Sequence, residues 1–331
     1  MEREIKLNHG SGGVLTHRLI KEIFLKIFNN KILRELEDSA EIGSLAFTTD
    51  SYVVKPLFFP GGDIGKLSIC GTVNDLAMKG AIPKYISITY IIEEGFAIDD
   101  LHKICVSAQI SARKAGVKIV AGDTKVVERG SADGIFITTS GIGVIPKGVS
   151  LSYHNVEPGD LILINGTIGD HGIAVLNKRL KLGLSMKLSS DCAALNSLVQ
   201  KMLKVNKKSI RMLRDPTRGG VATTLNEISE KTNLGIIIDE ASLPIKKEVA
   251  GACELLGLDP LYVANEGKLI AIVDSKYSER LIRVMKSDQL GKEAKIIGQV
   301  VKKPKGVYLR TLIGGLRPLL MLETEMLPRI C

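Results

Sequence analysis

The order of apolar and polar positions predicts strands that alternate with helices through the first half of the chain. Runs rich in β-branched and aromatic residues, closed by glycine or proline, predict strands. Longer runs with apolar residues at helical spacing, which stop at glycine, predict helices. The predicted strands are Leu45–Val54, Lys84–Ile92, Val117–Gly122 and Gly134–Val144, and the predicted helices are Val14–Phe28, Ile64–Met78 and Ile98–Ala115.

The second half repeats this alternation after residues 146–159, where proline and glycine predict a domain boundary. The predicted strands there are Leu161–Asn165, Leu234–Asp239, Leu269–Val273, Ile296–Val301 and Val307–Leu312. The predicted helices are Ile173–Lys178, Asp191–Lys204, Arg218–Lys231 and Ser278–Met285. The alternation predicts an α/β or α+β class, with an N-terminal domain at 1–150 and a C-terminal domain at 151–316.

Residues 317–331 have a different pattern. Pro318 and Pro328 disfavour a helix in this segment. Its fully extended reach is about 45–50 Å. We therefore expect a mobile tail that can carry the thiol of Cys331 into a site on its own or on a neighbouring subunit. A frayed chain end is the plainer alternative.

Composition limits the classes of protein to consider. Of the 331 residues 45% are hydrophobic and 24% are charged, as in an ordinary globular protein. No apolar stretch reaches the roughly 18 residues of a membrane span. The five cysteines include no Cys-x-x-Cys pair that would indicate a disulfide framework or structural zinc. We expect a cytoplasmic protein without a membrane partner.

The positive net charge of the chain is compatible with several kinds of partner. The net charge is +9, and the densest basic stretch is Lys201, Lys204, Lys207, Lys208, Arg211 and Arg214. No aromatic residues are interleaved with these charges and no nucleic-acid reader motif accompanies them, so nucleic acid is disfavoured as a partner. A solvated face or a docking surface for an acidic partner accounts for the stretch better.

A glycine-rich loop with the sequence NHGSGG, at residues 8–13, precedes the first predicted helix. The backbone N–H groups of such a loop, at a helix N-terminus, can bind an anion such as phosphate. A plain turn is the alternative. His9 is as compatible with an ordinary hydrogen-bonding role as with catalysis.

Four aspartates stand near predicted strand ends or turns, beside glycine and threonine: Asp50, Asp75, Asp123 and Asp215. Such carboxylates suit Mg²⁺ bound to nucleotide phosphates, because Mg²⁺ prefers hard oxygen ligands. Each alone is more often a cap or turn residue, but the group of four favours a metal site. If the strand continues, Asp123 and Lys125 share a face, so one can bind metal while the other supplies positive charge to a phosphate or a thiolate. A turn with solvated charges accounts for this segment equally well.

Two further residues are candidates on narrower grounds. Glu266 lies on a turn ahead of a predicted strand, where most glutamates are simply solvated. Cys331 would present an accessible thiol that is open to oxidation, which favours a use over chance. Cys70 and Cys105 lie among apolar neighbours on predicted helices, and we interpret both as core residues.

Eight segments together match a known family: Asn8–Gly13, Thr48–Tyr52, Pro56–Ile64, Cys70–Asp75, Gly122–Val127, Asp215–Val221, Asn265–Lys268 and Pro328–Cys331. The chain resembles the HypE family of hydrogenase-maturation carbamoyl dehydratases. More broadly, it resembles the ATP-using superfamily of aminoimidazole ribonucleotide synthetase and selenophosphate synthetase. The resemblance runs nearly end to end, and the sequence PRIC at residues 328–331 is its most specific part.

The resemblance implies a two-domain synthetase-like fold. The N-terminal domain would bind ATP and would form a β-barrel across a homodimer. The C-terminal domain would be an α/β layer packed against it, with ATP in the cleft between the domains.

The resemblance also implies a reaction and its partners. The carbamoyltransferase HypF would load a carbamoyl group onto the Cys331 thiolate. ATP would phosphorylate the carbamoyl oxygen, and loss of phosphate and protons would leave S–C≡N. The cyano group would then pass to iron on a HypC–HypD complex, for a nickel–iron hydrogenase centre.

Three sets of binding residues follow from the same resemblance. The ligands of Mg²⁺ would be Asp50, Asp75, Asp123 and Asp215. The loop that covers the nucleotide would be Gly10, Ser11, Gly12 and Gly13. The metal and the phosphates would be supported by Asn74 and Thr124.

The family also has two residues that manage the ionisation of the terminal cysteine, and they match Lys125 and Glu266. Because a nearby ammonium lowers the pKa of a thiol, Lys125 beside Cys331 would favour the thiolate form of that cysteine. Glu266 would be the base that removes the nitrogen protons.

Other functions remain open on the sequence alone. A sister synthetase acting on a free small substrate would share the aspartates and would not need Cys331. A non-catalytic scaffold that binds ATP and docks maturation partners would need no turnover. A nucleic-acid binder is the remote third alternative.

Overall fold

Two β-sheets, one in each half of the chain, organise the molecule. The computed structural model describes residues 4–181, 187–322, 327 and 329–331. The strands of the first half are β1 (Ala40–Ile42), β2 (Leu45–Tyr52), β3 (Phe58–Phe59), β4 (Gly62–Asp63), β5 (Ile82–Glu93), β6 (Lys118–Val127) and β7 (Ile135–Val144). Strands β3 and β4 pair with each other, and the other five form one sheet in the order β1-β2-β7-β5-β6.

Four α-helices accompany this sheet: α1 (Val14–Leu19), α2 (Leu25–Ile27), α3 (Ile64–Met78) and α4 (Ile98–Ala115). A π-helical turn at Ile20–Phe24 joins the first two. The predictions for α3 and α4 are confirmed. Helix α3 begins after Asp63, whose carboxylate accepts the N–H groups of Gly65 and Lys66, and α4 ends at Gly116 in the left-handed conformation.

The two faces of the first sheet differ in exposure. Helix α3 covers the inner face and is buried along nearly its whole length. The opposite, outer face carries a row of apolar side chains that are each 38–48% exposed, namely Leu45, Phe47, Ile82, Tyr85, Ile142 and Val144. Strand register aligns Phe47 with Ile142 and Ile142 with Tyr85, so these side chains are neighbours across three strands.

The second half forms a seven-stranded sheet with helices on both faces. Its strands are β8 (Leu161–Ile164), β9 (Ile210–Arg214), β10 (Gly235–Asp239), β11 (Ile270–Val273), β12 (Lys295–Val301), β13 (Gly306–Arg310) and β14 (Leu316–Pro318). They lie in the order β14-β13-β10-β12-β8-β11-β9. The helices are α5 (Asp170–Leu180), α6 (Asn196–Leu203), α7 (Gly220–Thr232), α8 (Lys247–Leu256) and α9 (Ser278–Lys286).

This second sheet has an apolar core on each side. Ile162 and Ile164 point to a core shared with α7, whereas Leu163, between them, points to a core shared with α6 and α9. The layered α/β architecture predicted for the C-terminal domain is confirmed. No helix in the described ranges is both long and apolar enough to cross a membrane.

One predicted helix, Asp191–Lys204, begins five residues later than the pattern indicates, at Asn196. The reason is a contact from the other half of the chain. The N–H of Leu195 donates to Oδ1 of Asn74, at 2.8 Å, and the Asp191 carboxylate accepts the ammonium of Lys268, at 2.9 Å. Residues 191–195 are therefore an ordered loop packed against α3.

Two other boundaries also shift. The helix predicted from Arg218 begins at Gly220, because Gly219 and Gly220 both adopt positive φ, at 72° and 60°. The predicted tail begins inside a strand, since β14 pairs antiparallel with β13. Residues 323–326 and Pro328 of that tail lie outside the described residues.

Candidate active site

Four carboxylates from both sheets form an acidic cluster: Asp50 on β2, Asp75 on α3, Asp215 after β9 and Glu266 before β11. Asp215 and Glu266 are buried, whereas Asp50 and Asp75 are half-buried. Burial and the charge of Asp215 hold the pKa values of Asp75 and Glu266 well above their usual ranges. Burial, with a contribution from the charge of Asp50, raises the pKa of Asp215 to about 6. Burial, together with the neighbouring carboxylates, therefore disfavours the ionised forms of Asp75, Asp215 and Glu266.

The local structure explains how two of these carboxylates face each other. Alternation along β2 puts Thr48, Asp50 and Tyr52 on the inner face, towards α3. The hydroxyl of Thr48 donates to Oδ2 of Asp75, at 2.7 Å. Strand β2 and helix α3 thus hold Asp50 and Asp75 over the same part of the inner face.

Asn74, the predicted support for metal and phosphate, is bonded to backbone on all sides. Its amide donates to the carbonyls of Ala193, at 3.1 Å, and Glu266, at 3.3 Å, and its carbonyl accepts the N–H of Leu195. Asn74 therefore holds the loop that carries Glu266 against helix α3, close to Asp75, the next residue of that helix.

Arg218 connects the acidic cluster to the end of the chain. Its guanidinium donates to the carbonyl of Gly10, at 3.1 Å. The negative charge of Cys331 is the largest of the influences that raise the pKa of Arg218, followed by Asp50 and Glu266. Arg218 lies in the same Asp215–Val221 segment as Asp215, but its residue type and position in the sequence did not predict a role in the site.

The glycine-rich loop packs on Arg218 and on the start of the tail. Gly12 has φ of +80°, and a Cβ there would lie 3.2 Å from Cβ of Arg218. A Cβ on Gly13 would lie 2.1 Å from the carbonyl oxygen of Leu322, so only glycine fits. Ser11 is buried and its hydroxyl donates to Asn8. The predicted loop is thus held at the edge of the acidic cluster.

The last residues of the chain extend along the segment that follows β2. The N–H of Val53 donates to the carbonyl of Cys331, and the N–H of Lys55 donates to the carbonyl of Arg329, each at 3.1 Å. Ile330 is buried, and Cys331 is half-buried in the same apolar cluster as Cys70. In this structure the terminal segment, residues 329–331, therefore binds to its own chain. Of the two predicted core cysteines, Cys70 is buried and Cys105 is half-buried.

Asp123, Thr124 and Lys125 lie apart from the cluster within one chain. Register runs from Asp50 through β7 and β5 to Gly122, so three strand spacings, about 14 Å, separate them. Asp123 and Lys125 share the outer face, as predicted for a continuing strand, and pair at 2.8 Å. Hydrogen bonding to Lys125 lowers the pKa of Asp123. Because β6 runs on to Val127, Asp123 is in mid-strand, whereas the sequence analysis placed it at a strand end.

The carboxylates of the acidic cluster can be compared with the ligands that the predicted Mg²⁺ requires. Within the described ranges, no three His, Cys, Asp or Glu side chains are gathered closely enough to hold a metal ion by themselves. Burial and mutual repulsion nevertheless disfavour the ionised forms of Asp75 and Asp215, and a bound cation would offset both effects. The cluster therefore fits an ion that takes the rest of its ligands from phosphate oxygens and water, as Mg²⁺ does.

Fold and site define a class of protein. Two protein-family models match the chain. The model for the AIR synthase related protein, N-terminal domain, matches residues 36–145, and the model for its C-terminal domain matches residues 157–309. The matched regions contain the first sheet, the second sheet apart from its edge strand β14, and all four clustered carboxylates, two on each side of residues 146–156. The chain is thus built as a two-domain AIR synthase related protein.

Full-length relatives narrow this class. The carbamoyl dehydratase HypE of Cupriavidus necator is 50% identical over 99% of this chain and 95% of its own length. A crystal structure of a HypE–HypF complex superposes with a TM-score of 0.89, at 51% identity, over 92% of this chain and 99% of that one. HypE in complex with ATP superposes with a TM-score of 0.84, at 46% identity, over 99% and 100%. The chain belongs to the HypE family of carbamoyl dehydratases.

Proposed function

We propose that this chain uses ATP to dehydrate a carbamoyl group carried as a thioester on Cys331, leaving a thiocyanate. The observation that carries the proposal is the position of Cys331. Its carbonyl accepts a hydrogen bond from Val53 of the same chain. The charge on Cys331 raises the pKa of Arg218, and the charges of Asp50 and Glu266 in the acidic cluster raise it further. The product would supply the cyanide ligand of a nickel–iron hydrogenase centre.

The chemistry needs a better leaving group than the carbamoyl oxygen. That oxygen attacks the γ-phosphorus of ATP, ADP leaves, and the oxygen becomes a phosphate ester. Departure of phosphate then opens the way to S–C≡N. Both protons of the carbamoyl nitrogen are lost along the way, so the site needs a base.

Glu266 and Arg218 suit the two tasks that this reaction sets. Glu266 is buried in the acidic cluster, and its raised pKa suits a group that accepts a proton from nitrogen. Arg218 offers a fixed positive charge that interacts with the charge on Cys331, and such a charge would favour the thiolate that accepts the carbamoyl group. We assign this charge role to Arg218 within the chain, since Lys125 lies on the outer face of the sheet.

The space for a nucleotide adjoins the glycine-rich loop. A cavity of about 450 Å³ opens there, and its lining includes Gly12, His17, Tyr153, Arg214 and Arg218. That volume falls within the usual range for small-molecule sites. The relative solved with ATP supports ATP as the nucleotide. We infer that residues 10–13 cover its phosphates.

Asp50, Asp75 and Asp215 would hold the Mg²⁺ that accompanies ATP. When bound, Mg²⁺ would spread the charge that develops on the transferred phosphoryl group. After burial, the charges of Asp215 and Asp50 contribute most to the raised pKa of Asp75, and the charge of Asp50 contributes to that of Asp215; a divalent cation would relieve this repulsion.

The outer face of the first sheet supports the predicted homodimer. A second copy that packs on the exposed row containing Phe47, Tyr85 and Ile142 would close the two sheets into a barrel. Asp123 and Lys125 lie on that face, so they would enter the interface and could serve a site formed by both copies. In this proposal residues 1–150 bind ATP and dimerise, residues 151–316 complete the cleft, and residues 317–331 deliver Cys331.

Replacing Ile142 with aspartate is expected to dissociate the dimer, because it buries a charge in an apolar interface. The dimer dissociation constant should rise at least about thirtyfold. Sedimentation or light scattering measures it. Ile98→Asp is the control, since Ile98 is 80% exposed at the start of α4, away from the outer face. A dimer unchanged by Ile142→Asp would place the interface elsewhere.

The protein would bind one partner before the reaction and another after it. The HypE–HypF complex of a relative supports HypF as the partner that loads the carbamoyl group. A HypC–HypD complex would accept the cyano group. Both encounters require the Cys331 sulfur to leave the contacts described above, and the extended reach of the tail allows this.

Mass spectrometry of the terminal peptide tests the proposed function. The protein is incubated with a carbamoyl donor and the partner transferase, first without and then with ATP. We expect a carbamoyl adduct on Cys331 that loses the mass of one water when ATP is added. Turnover of a free small substrate with an unchanged Cys331 would favour a sister synthetase. An adduct that never loses water would favour a scaffold.

A further inference from the structure

Arg329 anchors the terminal segment to the first domain through its side chain. Its Nε donates to the carbonyl of Val53, at 2.8 Å, and its guanidinium pairs with Asp133. The guanidinium also lies over the ring of Phe136, 5.7 Å from the centroid. Arg329 is thus held by a carbonyl, a carboxylate and an aromatic face, all from residues of the first domain.

A second anchor comes from the C-terminal domain. His171, at the start of α5, is completely buried, and its Nε2 lies 2.8 Å from the carbonyl oxygen of Ile330. Burial lowers the pKa of His171, so the ring is neutral near pH 7. Because a carbonyl only accepts, Nε2 must carry the proton and donate to Ile330. The hydroxyl of Ser190 then donates to Nδ1, at 2.8 Å.

The hydrogen bond from Ser190 fixes the tautomer of His171. Ser190 Oγ accepts the N–H of Cys192, at 3.0 Å, and so has its own proton to give to the ring. The edge-on contact with Phe59, 5.4 Å between centroids, sets the orientation of the ring. His171 is therefore built to present one N–H to the residue next to Cys331, and the proposed chemistry uses it for nothing else.

We propose that His171 and Arg329 are positioning residues that hold Cys331 in the site. Neither touches a reacting atom; each fixes a residue of the terminal segment. The two anchors belong to different domains, so the segment binds only where both domains present them together. Arg179 of α5 adds to this by donating to the carbonyls of both Lys55 and Arg329, at 2.7 and 2.6 Å. The proposal rests on the proposed function in that Cys331 is the carrier.

Removing one anchor shifts the population of bound segment towards the released state. A buried hydrogen bond with correct geometry changes such an equilibrium by roughly five- to tenfold. The Cys331 sulfur should therefore become more accessible to reagents by that factor, because the bound segment predominates in the parent protein, whereas the ATP-dependent step slows only as far as the bound fraction falls. Loading by the transferase needs the released segment and should not slow.

Alkylation of Cys331 in the full-length protein tests this without nucleotide or partner. N-ethylmaleimide modification of the terminal peptide is followed by mass spectrometry. His171→Leu and Arg329→Gln are expected to react about five- to tenfold faster than the parent protein. His171→Gln keeps an N–H where Nε2 lies and should restore the slow rate, which a merely structural role would not predict. Lys55→Ala is the control, since Lys55 also pairs with Asp133 and its hydrogen bond to Arg329 comes from its backbone N–H, which alanine keeps.

The buried cysteines Cys70, Cys192 and Cys253 report on folding in the same experiment. If His171→Leu exposes them, Arg329→Gln decides, because Arg329 is partly solvent-exposed and its loss leaves the core intact. Equal alkylation rates in the parent protein and in folded Arg329→Gln would overturn the proposal. The alkylation result stands even if no water is lost from a carbamoyl adduct, so failure of the proposed function is separately visible.

Discussion

Replacement of Cys331 with serine is expected to abolish formation of any carbamoyl or cyano adduct on the protein. The loss should be complete, because the sulfur is a reactant and the serine hydroxyl is a far poorer nucleophile near pH 7. ATP hydrolysis that depends on the carbamoyl donor should fall to background. Mass spectrometry of the intact protein and a phosphate-release assay measure the two effects.

Cys105→Ser is the matched control for this substitution. Cys105 is half-buried on α4, and its contact is with the hydroxyl of Tyr90, away from the acidic cluster. Full activity in Cys105→Ser, together with none in Cys331→Ser, would assign the reaction to the terminal sulfur. Substantial donor-dependent ATP turnover in Cys331→Ser would instead point to a free substrate.

Asp75→Asn is expected to lower the ATP-dependent step by at least about a hundredfold while the protein stays folded. The carboxylate stands among Asp50 and Asp215, where an amide supplies neither the charge nor the ligand geometry that a divalent cation requires. Single-turnover loss of water from carbamoylated Cys331 measures the effect. Asp239→Asn, an isosteric change at a surface ion pair with Arg310, should keep the parental rate.

The variant Asp75→Asn should be at least as stable as the parent protein at neutral pH when no metal is present. Raised pKa values mean that the folded cluster binds protons more tightly than the unfolded chain does. The stability contribution is therefore present below the unfolded pKa of about 4 and declines as pH rises, for Asp215 through about 6. Asp75→Asn removes one of the repelling charges, so thermal unfolding should show a smaller decline over this range. A marked loss of stability at pH 7.5 would give Asp75 a structural role.

Local signals explain why much of the fold could be predicted from the sequence. Helices Ile64–Met78 and Ile98–Ala115 have the predicted boundaries because Asp63 and Gly116 mark their ends chemically. The strand Leu45–Tyr52 was predicted two residues too long at its end. Strand β1 is only three residues long, and the helix Lys247–Leu256 begins without a capping side chain; neither was predicted.

The remainder depends on contacts between distant segments. Residues 191–195 leave the helical pattern because Asn74, over a hundred positions earlier, accepts the N–H of Leu195. The separation of Asp123 from Asp50 is set by strand order, which periodicity does not reveal. Arg218 has no motif of its own, and it becomes a candidate only once the end of the chain lies beside it.

The burial of α3 limits how the enzyme can open. This helix packs on the first sheet and also contacts α6 and β9 of the second domain. A hinge that parted the domains would therefore strip apolar surface from the helix that carries Asp75. Nucleotide exchange is expected to proceed instead by displacement of the short N-terminal segment around Gly12, which hydrogen bonds hold to Arg218 and Leu322, so that turnover leaves the charged centre undisturbed.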